Sequence, residues 1–331
     1  MSSTRARVGR DGTTRPIASR LGRTALGRAA PPRWTAPAPV LALTAIVSLQ
    51  VGAALAGRLF GTVPVAGVTG LRLWAAAAVI GVIGARSVRR AVASHPLRSA
   101  WRDWLVVAAF GVILGVMNYS IYQAFARIPL GIAVTIEFLG PLAVAVASSR
   151  RAVDLLWVGL AGAGVLLLSQ GGTGTAHGAP AGAGPGAELT GVIFALVSAA
   201  CWAGYILLSR ATGRRFAGSS GLVIAMIIAA VLVTPPAVIA GGATLLRPGV
   251  VATGIGIGLL SSVIPYWLEL ETLRRVPARV FGIWMSLEPA VAALAGLVLL
   301  GEVLAPRQWL AVGCVVVACA GTARTARAGP G

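Results

Sequence analysis

The sequence predicts an all-α polytopic membrane protein of about ten transmembrane helices, divided into two five-helix halves. The chain is 57% hydrophobic and 11% charged, with a mean hydropathy of +0.85. This is too apolar for a water-soluble core under a polar surface. Apolar runs close to the roughly 20 residues that cross the hydrocarbon of a bilayer recur along the chain. The arginines lie almost entirely between these runs or in the tails.

The first 35 residues form an arginine-rich tail without an apolar period, which predicts disorder on the cytoplasmic side. The first apolar run is a full span, so this tail does not resemble a cleaved signal peptide. Residues 324–331 are expected to form a second cytoplasmic tail. Between the tails we predict spans at residues 40–59, 65–85, 104–125, 131–147, 155–169, 189–208, 221–240, 251–268, 280–300 and 309–323.

The orientation follows from the distribution of arginine, because cytoplasmic loops keep the positive charge during insertion. With ten spans and both termini inside, cytoplasmic segments hold 23 of the 28 basic residues and the outer loops hold four. A missed or invented span would invert every later loop and erase this asymmetry. We therefore expect a multi-pass protein of a bacterial inner membrane with both termini cytoplasmic.

Residues 170–188, which read QGGTGTAHGAPAGAGPGAE, indicate a linker between the halves at 40–169 and 189–323. A shift of 148 residues aligns positions in the two halves: Arg127 with Arg275, Pro129 with Pro277, Leu139 with Leu287, and Pro141 with Pro289. Because each half has an odd number of spans, the second half would be inverted, as in secondary transporters. The alternative is a match by composition between unrelated apolar stretches.

Several functional classes are disfavoured by the residues present. A net charge of +19 would suit nucleic acid, but the basic residues form no aromatic-interleaved face, so no nucleic-acid partner is expected. The cysteines lie in apolar runs and both histidines lie in loops, so we expect no metal, cofactor or catalytic group. The sequence has no polar ring or filter-like loop, which disfavours a passive channel. A membrane protein that acts as a scaffold or binds a partner is an alternative that the residues do not exclude.

Three ionisable residues lie inside predicted spans, where a charge is costly and marks a functional site. Glu137, in GIAVTIEFLGPLA, is a candidate for proton coupling or substrate contact. Arg72 lies at a similar depth, so a purely structural ion pair between Arg72 and Glu137 is the alternative. Glu288 precedes Pro289. The functional interpretation is a second polar contact or a gating hinge, and the alternative is a residue that bonds the backbone groups freed by the kink. Pro141 is the matching hinge candidate.

Polar and aromatic residues suggest the walls of a site. In MNYSIYQ, Asn118 and Tyr122 share a helix face and Tyr119 lies on the next stripe; they suit an amino-acid zwitterion or join helices. Gln50 and Ser48 are weaker candidates. Glu269 and Glu271 precede two arginines, which favours a solvated ion-pair cluster at the headgroups. Four aromatic residues are candidates either for a cavity wall or for interface anchoring: Trp202, Tyr205, Tyr266 and Trp284.

The stretch LGVMNYSIYQAFARIPLGIAVTIEFLGPLAVAVASSRRAVDLLWVGLAGAGVLLL resembles the EamA-type branch of the drug/metabolite transporter superfamily, and within it the threonine/homoserine exporter group. SLEPAVAALAGLVLLGE in the second half supports the broader family. The resemblance implies a ten-helix bundle around a central cavity, export of small amino acids or related metabolites, and protons as coupling ion. A lipid or glycolipid flippase, an exporter of another metabolite class and a membrane-embedded enzyme are the alternatives.

Overall fold

The computed structural model describes residues 36–96, 100–147, 153–169 and 185–325, and this part of the chain contains helices and no strand. The predicted N-terminal tail at 1–35 lies outside the described residues. The α-helices of the described part are α1 Ala38–Leu59, α2 Val65–Ser94, α3 Trp101–Phe125, α4 Leu130–Glu137, α5 Leu139–Ala147, α6 Val153–Ser169, α7 Pro185–Gly213, α8 Ser220–Gly241, α9 Pro248–Gly258, α10 Ile264–Leu273, α11 Ala278–Met285, α12 Glu288–Ala295 and α13 Pro306–Thr325.

Three predicted spans consist of more than one helical segment. The fourth span comprises α4 and α5, which meet at Phe138. The eighth comprises α9 and α10, joined by a π-helical turn at Leu259–Val263. The ninth comprises α11 and α12 and ends in a second π-helical turn at Gly296–Leu300. These spans therefore contain the irregular backbone of the bundle.

The described residues include eight helical segments that are long and apolar enough to cross a membrane, and each overlaps one predicted span. The predicted fifth and tenth spans are also helical: α6 has 17 residues, α13 has 20, and the two helices pack against each other. The prediction of an all-α polytopic membrane protein is confirmed.

Several helices extend beyond the predicted spans, and two of these differences involve the predicted linker and the predicted C-terminal tail. The predicted linker ends at residue 188, but α7 begins at Pro185. A proline fits the first turn of a helix, and the Glu188 carboxylate favours the positive end of the helix dipole. The described residues of the predicted C-terminal tail, 324 and 325, belong to α13. Residues 170–184 and 326–331 lie outside the described part.

Contacts between the halves occur in matched sets. The packing of α3 against α7 has its counterpart in the packing of α1 against α10, as a 148-residue repeat requires. The pairs α2 with α8 and α6 with α13 join equivalent helices, and α4 packs against α12, so the fourth span contacts the equivalent ninth span. The backbone before α4 and α11 matches too: Pro129 and Pro277 precede these helices with φ of −53° and −58° and ψ of 141° and 143°.

One end of the bundle, here called the sealed end, is closed by apolar packing. It lies where α1 and α3 end and α2 and α4 begin, and its fully buried side chains include Val63, Ile128 and Leu130. The carboxylate of Glu302 accepts a hydrogen bond from the Leu130 amide at 2.8 Å. This bond joins the end of the ninth span to the start of α4, so polar contacts as well as apolar ones connect the halves here.

Gly131 sits where α4 crosses α12. A Cβ at this position would lie 2.5 Å from the Cα of Ala293 and 2.6 Å from its Cβ. These are backbone and near-backbone atoms, which cannot move aside as a flexible side chain does. The crossing therefore requires glycine.

We expect Gly131→Ala to destabilise the folded protein by about 1–3 kcal/mol, because the added methyl group forces the two helices apart. The matched control is Gly159→Ala in α6, where an added Cβ meets nothing within 4 Å. The measurement is the temperature at which half of the detergent-purified protein leaves the monodisperse size-exclusion peak. Equal temperatures for Gly131→Ala and Gly159→Ala would contradict the proposed crossing.

Candidate functional site

A cavity of about 180 Å³ lies between the helices, lined by residues from both halves of the chain. Apolar side chains such as Ala53 and Val134 form part of its wall. The rest of the wall is polar or ionisable, which is unusual in a protein this apolar. The polar lining residues are Gln50, Arg72, Asn118, Tyr122, Glu137, Tyr205, Ser261, Tyr266, Glu269 and Glu288.

Arg72 is buried in the middle of the bundle, 7% exposed. Its Nη2 donates to the Ser261 carbonyl at 3.0 Å and its Nε donates to the Ser262 hydroxyl at 3.3 Å. The guanidinium carbon lies 5.0 Å from the centre of the Tyr122 ring, a cation–π distance. Three contacts thus fix the guanidinium in orientation.

No carboxylate of the described residues lies within ion-pair distance of Arg72, so the Arg72–Glu137 pair considered from the sequence does not form. Glu137 instead accepts a hydrogen bond from the Ser198 hydroxyl of α7 at 2.5 Å. Both residues line the same cavity. The arginine and the carboxyl group are therefore separately held and both accessible to a bound molecule.

The partners of Arg72 come from the π-helical turn in the eighth span. A π turn bonds residue i to i+5, which displaces backbone groups from the α-helical pattern. In this turn the Ser261 carbonyl bonds Arg72, and the neighbouring Leu260 carbonyl accepts the Ser48 hydroxyl at 2.7 Å. Side chains from α1 and α2 thus donate hydrogen bonds to the backbone carbonyls of this turn.

Glu288 and Gln50 form a second polar pair on the cavity wall, 4% and 2% exposed. The Gln50 Nε2 donates to the Glu288 Oε1 at 3.0 Å. Three buried polar atoms of the cavity-lining residues have no hydrogen-bond partner among the described residues: Gln50 Oε1, Glu288 Oε2 and the Tyr122 hydroxyl. A buried polar atom without a partner is costly, which makes these atoms candidates for ligand contact.

Glu269 is placed differently from the sequence prediction. The sequence groups Glu269 with Glu271 in a solvated ion-pair cluster, and this is wrong for Glu269, which is half-buried and lines the cavity. Glu271 does pair, with Arg275 at 2.6 Å and Arg274 at 3.5 Å. The reason is that α10 continues to Leu273, beyond the predicted span end at residue 268.

Most of the predicted site residues come together in this cavity. Tyr119 and Trp284 do not line it. Tyr119 packs against the core cluster around Leu73 and Phe110, because it lies about 100° around α3 from Asn118. In the ninth span Met285 takes the lining position next to Trp284. The predicted residues that do line the cavity are Arg72, Asn118, Tyr122, Glu137, Trp202, Tyr205, Tyr266 and Glu288.

Both predicted hinge prolines lie beside an interruption of their span. Pro141 follows the break at Phe138, and Pro289 follows the break between α11 and α12. A proline has no backbone N–H to donate to the carbonyl four residues earlier, which loosens the helix there. The breaks fall at equivalent positions of the 148-residue shift and next to the cavity carboxyl groups Glu137 and Glu288.

Gln50, Ser261 and Glu269 are the lining residues that sequence reasoning gave little or no weight. Gln50 and Ser261 are isolated polar residues in apolar runs, a pattern that also fits helix-to-helix hydrogen bonds. Within the described residues, no group of three or more His, Cys, Asp or Glu side chains is arranged to hold a metal ion.

Comparison with known proteins extends these observations. Residues 189–324 match the EamA-like transporter family. The threonine/homoserine exporter RhtA of Escherichia coli (strain K12) is 41% identical over 288 residues, which cover 87% of this chain and 92% of the relative. The chain belongs to the EamA-like transporter family. The RhtA protein of Salmonella typhimurium (strain LT2) is 39% identical over 293 residues, with 88% and 93% of the two chains covered.

More distant matches agree with this EamA-family assignment. The uncharacterized transporter YwfM of Bacillus subtilis (strain 168) is 30% identical over 130 residues, covering 39% of this chain and 44% of its own. A solved crystal structure superposes with a TM-score of 0.57 at 20% identity, covering 86% of this chain and 95% of the other. That likeness shows a shared fold.

For this EamA-type transporter, the position of Glu269 in the cavity predicts that its carboxylate matters for transport. We expect Glu269→Gln to lower the transport rate about tenfold, because the substitution changes the charge of the cavity wall. The matched control, Glu271→Gln, removes only the two ion pairs with Arg274 and Arg275 at the helix end and is expected to change the rate less than about threefold. Rates are measured in proteoliposomes; equal effects of the two variants would argue against a role for Glu269.

Proposed function

We propose that this EamA-type transporter exports small amino acids of the threonine and homoserine type across a bacterial inner membrane. The observation that carries the proposal is the polar cavity between the halves, with Arg72, Glu137, Glu269 and Glu288 in its wall. Relatives that share about two fifths of their residues with nearly the whole chain are threonine/homoserine exporters. Charged groups inside spans mark substrate and ion pathways in membrane proteins.

The lining of the cavity favours a small polar solute. Hydrogen-bonding side chains from α1, α3 and α12 suit a polar solute better than a greasy one. A lipid flippase is therefore disfavoured.

For the mechanism we propose alternating access, in which two inverted repeats at residues 40–169 and 189–323 rock around the cavity. The matched helix contacts between the halves and the matched proline turns before α4 and α11 support such a repeat. The breaks beside Pro141 and Pro289 are suitable hinges, because the backbone there is not held by a regular helical pattern. The sealed end is the side closed in this conformation.

Protons are the proposed coupling ion. Carboxyl groups at membrane depth are the usual proton carriers of pumps and transporters. Glu137 is the leading candidate, because its hydrogen bond to Ser198 joins α4 of the first half to α7 of the second. Proton uptake at Glu137 changes the strength of this contact between the halves. Inward proton flow would then drive the amino acid outward.

In proteoliposomes loaded with labelled threonine or homoserine, we expect efflux to rise when the exterior is made acidic. In Glu137→Gln this gradient-driven component should disappear, because an amide does not carry a proton, while exchange of labelled for unlabelled substrate at equal pH persists. Glu188→Gln, at the first turn of α7, is the matched control and should behave as the unchanged protein.

Two outcomes would contradict this scheme. Absence of efflux of either amino acid from the unchanged, folded protein would refute the substrate assignment. A Glu137→Gln variant that keeps its full response to the pH gradient would remove Glu137 from the coupling mechanism.

The proposed orientation has both termini in the cytoplasm. A green fluorescent protein fused after Gly331 should therefore fluoresce, because it folds in the cytoplasm. Alkaline phosphatase, which is active only outside, should be active when fused after Arg247 and inactive when fused after Arg215. The reverse pattern of phosphatase activity would overturn the topology.

A further inference from the structure

The buried guanidinium of Arg72 has no carboxylate within ion-pair distance in the described part of the protein. Its Nε and Nη2 are bonded to Ser262 and Ser261, neither of which carries a charge. Among the described residues, no hydrogen bond is formed by its Nη1. An unpaired buried charge is strongly unfavourable, and a guanidinium presents its donors in a fork that matches a carboxylate. The arrangement is therefore suited to an anion that arrives with the substrate.

The Gln50–Glu288 pair offers hydrogen-bond acceptors, whereas Arg72 offers donors. The Gln50 amide nitrogen donates to Glu288, which leaves the Gln50 Oε1 as an acceptor, and the Glu288 Oε2 is a second acceptor. Both atoms are buried and neither has a donor within reach among the described residues. These two acceptor oxygens, one amide and one carboxyl, match an ammonium group, which has donors only.

We propose that the cavity binds its substrate as a zwitterion in a fixed orientation, with the free carboxylate on Arg72 and the free ammonium on Gln50 Oε1 and Glu288 Oε2. The inference rests on the proposed function and names the recognition chemistry of that site. Arg72 and Gln50 come from different spans of the first half, whereas Glu288 comes from the second half. The ammonium therefore bridges the halves, and the carboxylate binds where Arg72 is anchored to the eighth span.

The site so described selects for two free groups at once. A threonine methyl ester keeps the ammonium and loses the anion, whereas N-acetylthreonine keeps the carboxylate and loses the cation. A charge-assisted hydrogen bond in a buried site is worth about tenfold or more in affinity. Each derivative should therefore compete with threonine at least about tenfold more weakly than threonine itself.

The test measures binding of labelled threonine to the full-length protein in detergent, with threonine, its methyl ester and N-acetylthreonine as competitors. For the unchanged protein we expect the two derivatives to be weak competitors. In Arg72→Gln the preference for threonine over the ester should fall to about threefold or less, while the preference over N-acetylthreonine persists. In Gln50→Leu the reverse pattern is expected, because the variant loses one ammonium acceptor and the amide that holds the Glu288 carboxyl group in place.

Arg210→Gln, an exposed arginine on α7, is the matched control and should leave both preferences unchanged. If Arg72→Gln loses all binding, Arg72→Lys serves in its place: it keeps the positive charge and should retain discrimination against the ester. Each variant contains an internal check on folding, since one of its two preferences is expected to survive.

The outcomes separate this inference from the proposed function. If the unchanged protein binds threonine but the ester or N-acetylthreonine competes as well as threonine does, the zwitterion assignment is overturned and amino-acid export stands. Unaltered preference for threonine over the ester in Arg72→Gln also overturns it. If the unchanged protein neither binds nor moves threonine or homoserine, the proposed function fails and this inference fails with it.

Discussion

The absence of water in the bilayer interior is the constraint on which this structure depends. Backbone amides and carbonyls at membrane depth must be bonded within the protein, so irregular backbone survives only where side chains or a cavity satisfy it. Here the breaks of the fourth, eighth and ninth spans all lie at the cavity wall. The π-helical turn of the eighth span illustrates the principle, because its Leu260 and Ser261 carbonyls are bonded by Ser48 and Arg72. The same contacts that stabilise the broken helix hold the arginine in place.

The proposed repeat matches helices and proline turns between the halves, whereas the residues that line the cavity do not match. The 148-residue shift places Glu137 on Met285 and Gly140 on Glu288, so each interrupted span supplies one carboxyl group, at a different position relative to its break. Arg72 has no basic counterpart at position 220, which is a serine. The cavity therefore has one buried guanidinium, on the first-half side, and this asymmetry is what the proposed oriented binding of a zwitterion requires.

The sequence predicted the all-helical polytopic fold and the positions of the spans well, because span length is a direct consequence of bilayer thickness. It also predicted Arg72, Glu137 and Glu288 as cavity residues, since a charge at membrane depth is hard to explain otherwise. The misplaced residues have a different cause. Tyr119 lies on the neighbouring face of α3. An apolar run does not show which of two successive residues faces the cavity, because each residue turns the helix by about 100°. Glu269 was assigned to the wrong environment because hydropathy falls before the helix ends.

The π-helical turn in the eighth span also sets the angular phase of everything that follows it. A π turn contains about one residue more than an α turn, and each residue advances a helix by about 100°. Tyr266 and Glu269 therefore face the cavity only because of the extra residue in Leu259–Val263. A single-residue deletion within that turn would present another side of α10 to the substrate while the other spans stay in place. Loss or gain of one codon is thus a short evolutionary route to a new cavity lining on an unchanged bundle.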